Sequence, residues 1–265
     1  MRNFLQIVSF LLLLIFWQSA IFLHPEWSFF CGSPIGILQA TLASGTFQRL
    51  PHDVLLTTAE AVGGFVIGVT VGTCVGLLLW LSRTAFAVAQ PYLAFLGALP
   101  IFALGPILAF WFGTGLLSKV ILGAVVTFSL AAVQAYQGAR ECDSNLIRLA
   151  VAFGASKFQV FVKLVIPSAL TWVLAGARLN IGMAMLAAVV GEFISSQAGL
   201  GNLLVLAEGL YNINLMLACI SALGIIAILL QLLLRPVESR IRRFSPDLSP
   251  GLFRRDRTTL NRVPT

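Results

Sequence analysis

The sequence predicts an all-α integral membrane protein with six transmembrane helices. Three observations predict it. Of 265 residues, 58% are hydrophobic and only 10% are charged, against about 25% charged in soluble domains, so too little polar surface remains for a soluble fold. Uncharged runs at 4–23, 61–81, 120–139 and 212–234 each reach the ~20 residues that cross a hydrocarbon core of ~30 Å. Backbone polar groups in lipid need internal partners, so these runs are helices.

The first helix, 4–23, ends at His24-Pro25. Met1-Arg2 before an apolar run also opens a secretory signal. The uncharged run exceeds a usual h-region of about 7–15 residues, however, and no small-x-small cleavage site follows, so the helix is expected to be retained. The segment up to about Pro51 contains Gly32, Ser33, Pro34 and Gly36 and reads as an external loop at the membrane surface. The second helix carries Gly64, Gly68, Gly72 and Gly76 at every fourth position. Small residues on one face let backbones approach, which reads as bundle packing. The run 84–118 is too long for one simple span and is punctuated by Pro91, Pro100 and Pro106. One span with irregular ends, roughly 90–112, is expected; Pro100 and Pro106 either line a translocation path or merely kink the helix. The fourth span is 120–139. The fifth, roughly 171–194, is interrupted by Arg178 and Glu192. Arg178 reads as a side chain snorkelling from a helix end. Glu192 is an acid at membrane depth, hence a functional candidate or a cap on a neighbouring helix. With Pro100, Pro106 and the turn glycines Gly199 and Gly201, it makes the candidate path or gate.

Between the fourth and fifth spans lies the most informative stretch, 140–167, RECDSNLIRLAVAFGASKFQVFVKLVIP. Leu146, Leu149, Ala150 and Phe153 recur at helical spacing, as do Phe158, Phe161, Val162 and Val165 up to a stop at Pro167. Gly154 sits between them, where it permits a sharp turn. Two short amphipathic helices joined by a glycine suit either a groove on a soluble partner or a membrane interface. On this reading a bulky charge at position 154 is expected to clash in the turn.

The net charge is +7. Eight of the 17 basic residues lie between Arg235 and Arg262, and Arg140, Arg148, Lys157 and Lys163 lie in the central segment. Arg2 and Arg83 fall on that same side of a six-span chain; Arg49 and Lys119 fall on the other. The positive-inside rule then puts both termini and the central loop in the cytoplasm. The excess is a topology signal and contact with membrane lipid, not a nucleic-acid surface. Cys31, Cys74, Cys142 and Cys219 are scattered without metal or disulfide spacing. His24 and His52 are solvated loop residues. No phosphate-binding loop, HExxH, GxSxG or carboxylate pair is present, so neither a catalytic centre nor a cofactor site is expected.

Three segments resemble the permeases of ABC importers. The "EAA" signature of that superfamily reads E-A-A, three residues, Gly, nine residues, I-x-L-P; here Arg148-Leu149-Ala150, Gly154 and Leu164-Val165-Ile166-Pro167 align with it. Arg148 reverses the charge of the usual Glu. PIFALGPILAFWFGTGLLSK, from Pro100 to Lys119, and the stretch from Glu192 to Gly201 are similar to the nitrate/sulfonate/taurine branch. A weaker likeness covers Thr57 to Phe65, where Glu60 replaces a usual basic residue.

The resemblance implies a type I ABC importer permease fold. It divides the chain into 1–53, the first helix and external loop; 54–240, a permease core with a cytoplasmic coupling (EAA) loop at 140–167; and 241–265, a basic, disordered cytoplasmic tail. It further implies a homodimeric pathway in a bacterial inner membrane. Two ATPase subunits would dock on Arg148, Leu149, Ala150, Phe153, Gly154, Ala155 and Pro167, and a periplasmic or lipid-anchored binding protein would deliver a small anionic solute such as nitrate, a sulfonate or taurine. No enzymatic activity or cofactor of its own is implied. Two other classes compete. A gradient-driven carrier would use Glu60 and Glu192, but the inverted repeat common in carriers is not visible. A membrane-embedded enzyme lacks any residue set for a reaction.

Overall fold

A computed structural model describes residues 2–244, all of whose regular elements are helical. The tail from Ser245 onward lies outside the described residues, whereas the predicted tail segment 241–244 belongs to the last helix. The helices are α1 Arg2–Leu23, α2 Ser28–Cys31, α3 Pro34–Leu42, α4 Ser44–Trp80, α5 Arg83–Ala98, α6 Ile101–Phe112, α7 Leu116–Arg140, α8 Ser144–Ala152, α9 Lys157–Val160, α10 Ile166–Ser195, α11 Leu200–Gly209 and α12 Ile213–Phe244. Five segments are long and apolar enough to cross a membrane: Phe4–Leu23, Gly45–Trp80, Leu116–Arg140, Lys157–Ser195 and Ile213–Pro236. The pair α5 and α6 supplies a sixth crossing if taken as one span.

Three long helices, α4, α7 and α10, form the centre. The glycine face of α4 lies on α7. A Cβ at Gly64 would sit 2.9 Å from the Gly123 Cα, one at Gly72 would sit 3.0 Å from the Ala131 Cβ, and one at Gly76 would sit 2.9 Å from the Ala135 Cβ. At Gly68 a Cβ would fall onto the Thr127 hydroxyl, which itself donates to the Gly64 carbonyl at 3.2 Å. The predicted packing role of this stripe is what the structure shows. On α7, Gly138 makes a similar approach to Ala169 and Trp172 of α10, and Ser168 donates to the Gly138 carbonyl at 2.8 Å. Around this trio, Leu108 of α6 joins Leu122, Val126 and Ala187, while Ile226 of α12 joins Ala61, Ile181, Met185 and Leu200.

Four expectations need correction. The segment before Pro51 is not a loop: α2 and α3 occupy it, and α4 starts at Ser44 and runs through Pro51. A proline removes one donor, and a 37-residue helix packed along α7 absorbs that loss. The boundary drawn at 53/54 therefore falls inside α4. The run around 90–112 is not one irregular span; α5 and α6 meet at 92° around Leu99-Pro100. Pro100 stands in extended conformation as the cap of α6, and the residue before a proline is itself driven out of the helical region.

Pro167 does not stop the coupling helix. A π-helical turn, Phe161–Val165, carries α9 into α10 without interruption. Pro167 occupies the first turn of α10, where its missing N–H costs little. Lys119, read above only for the side of the membrane on which it falls, is 1% exposed.

Candidate functional site

The coupling turn is built by local capping. Asp143 caps α8, its carboxylate accepting the Asn145 N–H at 2.8 Å. α8 ends at Phe153, and Gly154 follows with φ +82°. Its N–H bonds the Val151 carbonyl at 2.9 Å, and the Ala155 N–H bonds the Ala150 carbonyl at 3.0 Å. Ser156 then opens α9 with a capping box: its hydroxyl accepts the Gln159 N–H at 3.2 Å, and the Gln159 side chain accepts the Ser156 N–H at 2.8 Å.

The apolar residues of this turn divide between two faces. Ile147, Ala150, Ala155, Phe161 and Leu164 pack on Ala139, Cys142, Val160, Val165 and Ala169, and Trp80 stacks on Phe161 at 5.8 Å. Leu149, Phe153 and Phe158 point outward with 54%, 84% and 73% of their surface exposed. The single amphipathic face read from each half was therefore too simple, because helical spacing does not say which of two apolar edges faces the bundle. Arg148 is exposed beside Leu149, and Pro167 is half-buried a full π turn away. A Cβ at Gly154 would meet nothing within 4 Å. The space beside the Gly154 Cα is thus open, and the left-handed φ is what asks for glycine within the chain's own turn.

Glu192 occupies a different setting, at the opposite end of α10. Chain direction in α4 brings Arg49, Asp53, Thr57 and Glu60 to one face, and Asp53 and Thr57, with Glu192 of α10, take the start of α11. The Gly199 N–H bonds Asp53 at 2.8 Å, the Leu200 N–H bonds the Thr57 hydroxyl at 2.9 Å, and the Gly201 N–H bonds Glu192 at 2.6 Å. Thr57 donates in turn to the other Glu192 oxygen at 2.6 Å. Acidic groups are favourable at a helix N-terminus, whose amides lack partners. Arg49 bonds Asp53 at 2.8 Å and Asn202 at 2.7 Å, and Asn202 donates to the Ser196 carbonyl at 2.7 Å.

The Gly-Leu-Gly pattern follows from this geometry. Gly199 has φ +104°, and a Cβ there would land on the Glu192 carboxylate; a Cβ at Gly201 would sit 2.8 Å from it. Lys119 completes the region from α7. Its ammonium donates to the Thr114 carbonyl, to Gly115 at 3.1 Å and to Ser195 at 3.0 Å, closing the C-terminal end of α10. Its stem crosses Gly191, where a Cβ would be 2.7 Å from the Lys119 Cγ.

Asp53, Thr57, Glu60, Lys119 and Glu192 are each 1% exposed or less. Both Glu192 oxygens are engaged in pinning α11 to α4 and α10. Pro100 and Pro106 stand on an exposed face of α6, so the structure does not bring them together with Glu192. Arg178 is exposed on α10. Sequence reading missed Arg49, Asp53 and Asn202. The spacing of Arg49, Asp53, Thr57 and Glu60 is the signal that would have found the first two, once α4 is taken through Pro51.

Comparison with known proteins agrees with this architecture. Residues 64–243 match the family described as "Binding-protein-dependent transport system inner membrane component". The riboflavin transport system permease protein RibX of Chloroflexus aurantiacus is 32% identical over 89% of this chain and 88% of its own length. The taurine transport system permease protein TauC of Escherichia coli is 30% identical over 78% of this chain and 73% of its own. Among solved structures, the MetNI methionine ABC transporter in an inward-facing form superposes with a TM-score of 0.65 at 20% identity, over 77% of this chain and 99% of that one. The last likeness establishes the fold: that of type I ABC importer permeases. The chain belongs to the binding-protein-dependent transport system inner membrane component family and is the permease component of an ABC importer, a transport subunit and not an enzyme.

Proposed function

We propose that two copies of this chain form the pathway of an importer for a small anionic solute, nitrate, a sulfonate, taurine or a similar compound. An ATPase grips each coupling turn, and a binding protein delivers the solute from outside. The observation that carries the docking part is the outward triad Leu149, Phe153 and Phe158, left exposed among the described residues. An exposed apolar patch on a turn held by its own caps marks an interaction surface. Arg148, Ala150, Gly154, Ala155 and Pro167 shape and flank it. With the turn in the cytoplasm, both termini are cytoplasmic and the chain sits in the bacterial inner membrane, as the distribution of Lys and Arg favours.

The break at Leu99-Pro100 supports a path beside α6, because irregular backbone at membrane depth survives where protein or a water-filled cavity covers it. Pro100 and Pro106 then face the second copy. Glu192, Gly199 and Gly201 act on the path by holding α11 in place. The relative named for taurine supports the choice of solute; those named for riboflavin and formylaminopyrimidine make a neutral solute the competing outcome.

The test is mild solubilisation of the tagged chain from its native membrane. A stoichiometric ATPase is expected to co-purify with the wild type and to be lost from Phe153→Asp at unchanged membrane abundance. A chain that purifies alone and still drives uptake with a gradient and no ATP overturns the reading. Ligand screening of the associated binding protein then decides the solute.

A further inference from the structure

A hollow of about 370 Å³ opens beside the Gly154 turn. Its floor is apolar, from Ala150, Val160 and Leu164, and its rim carries Phe153, Gln159 and Lys163. The Gln159 carbonyl oxygen is committed to the Ser156 N–H, which leaves the amide nitrogen as a donor on the rim. Lys163 is exposed and, among the described residues, forms no ion pair, as is true of Arg148 and Lys157. No Asp or Glu occurs anywhere from 144 to 191. The Asp143 carboxylate is taken up in capping α8. Among the side chains that line the hollow, the polar groups are therefore the Gln159 amide and the Lys163 ammonium, with no carboxylate among them.

We propose that this hollow receives an apolar side chain of the ATPase flanked by a carboxylate, which pairs with Lys163. The inference rests on the docking reading above and specifies the chemistry of the partner's groove. Two features favour a protein knob. The site is concave and apolar at its base, which a headgroup layer does not fill, and it adjoins Phe153, which is 84% exposed. An exposed lysine on the rim with no ion-pair partner among the described residues selects an acidic partner and penalises a basic one, since like-charge juxtaposition at an interface is costly.

The purified permease–ATPase complex is treated with a water-soluble carbodiimide, which joins an amine directly to a carboxylate, and the linked peptides are read by mass spectrometry. A link from Lys163 to an Asp or Glu of the ATPase is expected. Lys163→Glu is expected to weaken retention of the ATPase at least about tenfold, Lys163→Arg to preserve it, and Lys163→Glu to be rescued when the linked acid is changed to Lys. An ATPase that co-purifies equally well with Lys163→Glu, or that links only through other lysines, overturns the proposal while leaving docking intact. Unchanged retention together with reduced membrane abundance of Lys163→Glu assigns the lysine to lipid headgroups and also overturns it. Failure of any ATPase to co-purify with the wild type removes the docking reading and this proposal together.

Discussion

The two ends of α10 solve opposite problems. At the coupling turn, backbone caps do the holding and the large side chains are left over: Leu149, Phe153 and Phe158 face outward, and Gly154 has open space around it. At the Glu192 end, side chains do the holding. Asp53, Thr57 and Glu192 are fully buried, bonded to backbone amides, and pressed so closely on Gly199 and Gly201 that no Cβ fits. The difference teaches where sequence change is felt. A surface made to meet another molecule tolerates substitution in its own fold and loses function; a buried polar clamp loses fold first.

The largest expected effect therefore belongs to the clamp. Glu192→Ala removes the acceptor of the Gly201 N–H and one of the two acceptors of the Thr57 hydroxyl. A buried donor left unsatisfied costs about 1–3 kcal/mol and the lost side chain adds a cavity, so a sharp fall in membrane abundance and in the thermal midpoint of the detergent-solubilised protein is expected. A variant with wild-type stability and only altered transport would erase the contrast between the two ends. Next comes Gly72→Ala on the α4 face, where the added methyl meets the Phe128 carbonyl and lies 3.0 Å from the Ala131 Cβ. Overpacking of about 1–3 kcal/mol is expected, read as a lower midpoint with the coupling turn still able to hold ATPase.

At the turn itself, Gly154→Ala finds space but must hold φ +82°, a cost of about 1–2 kcal/mol. Abundance is expected to stay near wild type while ATPase retention drops by several-fold. The smallest effect is chemical. Burial pushes the Cys142 thiol up, and the neighbouring Asp143 charge adds to it, so little thiolate exists at neutral pH. Maleimide labelling in permeabilised membranes is expected to spare Cys142 relative to a cysteine placed at Phe153. Equal rates would show that the packing of Cys142 against Val160 and Val165 opens in the membrane.

Much of the architecture was legible because lipid imposes it. Run length located the crossings, and fourfold glycine spacing located the α4–α7 contact. Two of the errors share one origin: Pro51 and Pro167 were read as helix boundaries. Pro51 and Pro167 both sit in helices that continue, since one missing donor is a small loss beside a long packed face. At Pro100 the helical run does break, and α5 and α6 turn by 92° across it. Ending α4 at Pro51 separated Arg49 from Asp53 and hid the polar face that clamps α11. The burial of Lys119 was hidden for another reason. A lone lysine at the end of an apolar run looks like a solvated flank, and only the folded chain shows three backbone carbonyls converging on its ammonium. In the coupling segment the glycine and its spacing were readable, but the division of apolar residues into inward and outward sets depends on α4 and α7.

The passage from α9 through the π turn into α10 makes residues 157–195 one rod, about 58 Å long at ~1.5 Å per residue. One tip lies against the coupling turn and the other carries Glu192. If an ATPase pushes on the first tip as proposed, the rod would carry the push to the second as torque, turning about the close contact of Gly138 with Ala169. The π turn, where hydrogen bonds close wider rings, would then set how much of that push becomes rotation and how much bending.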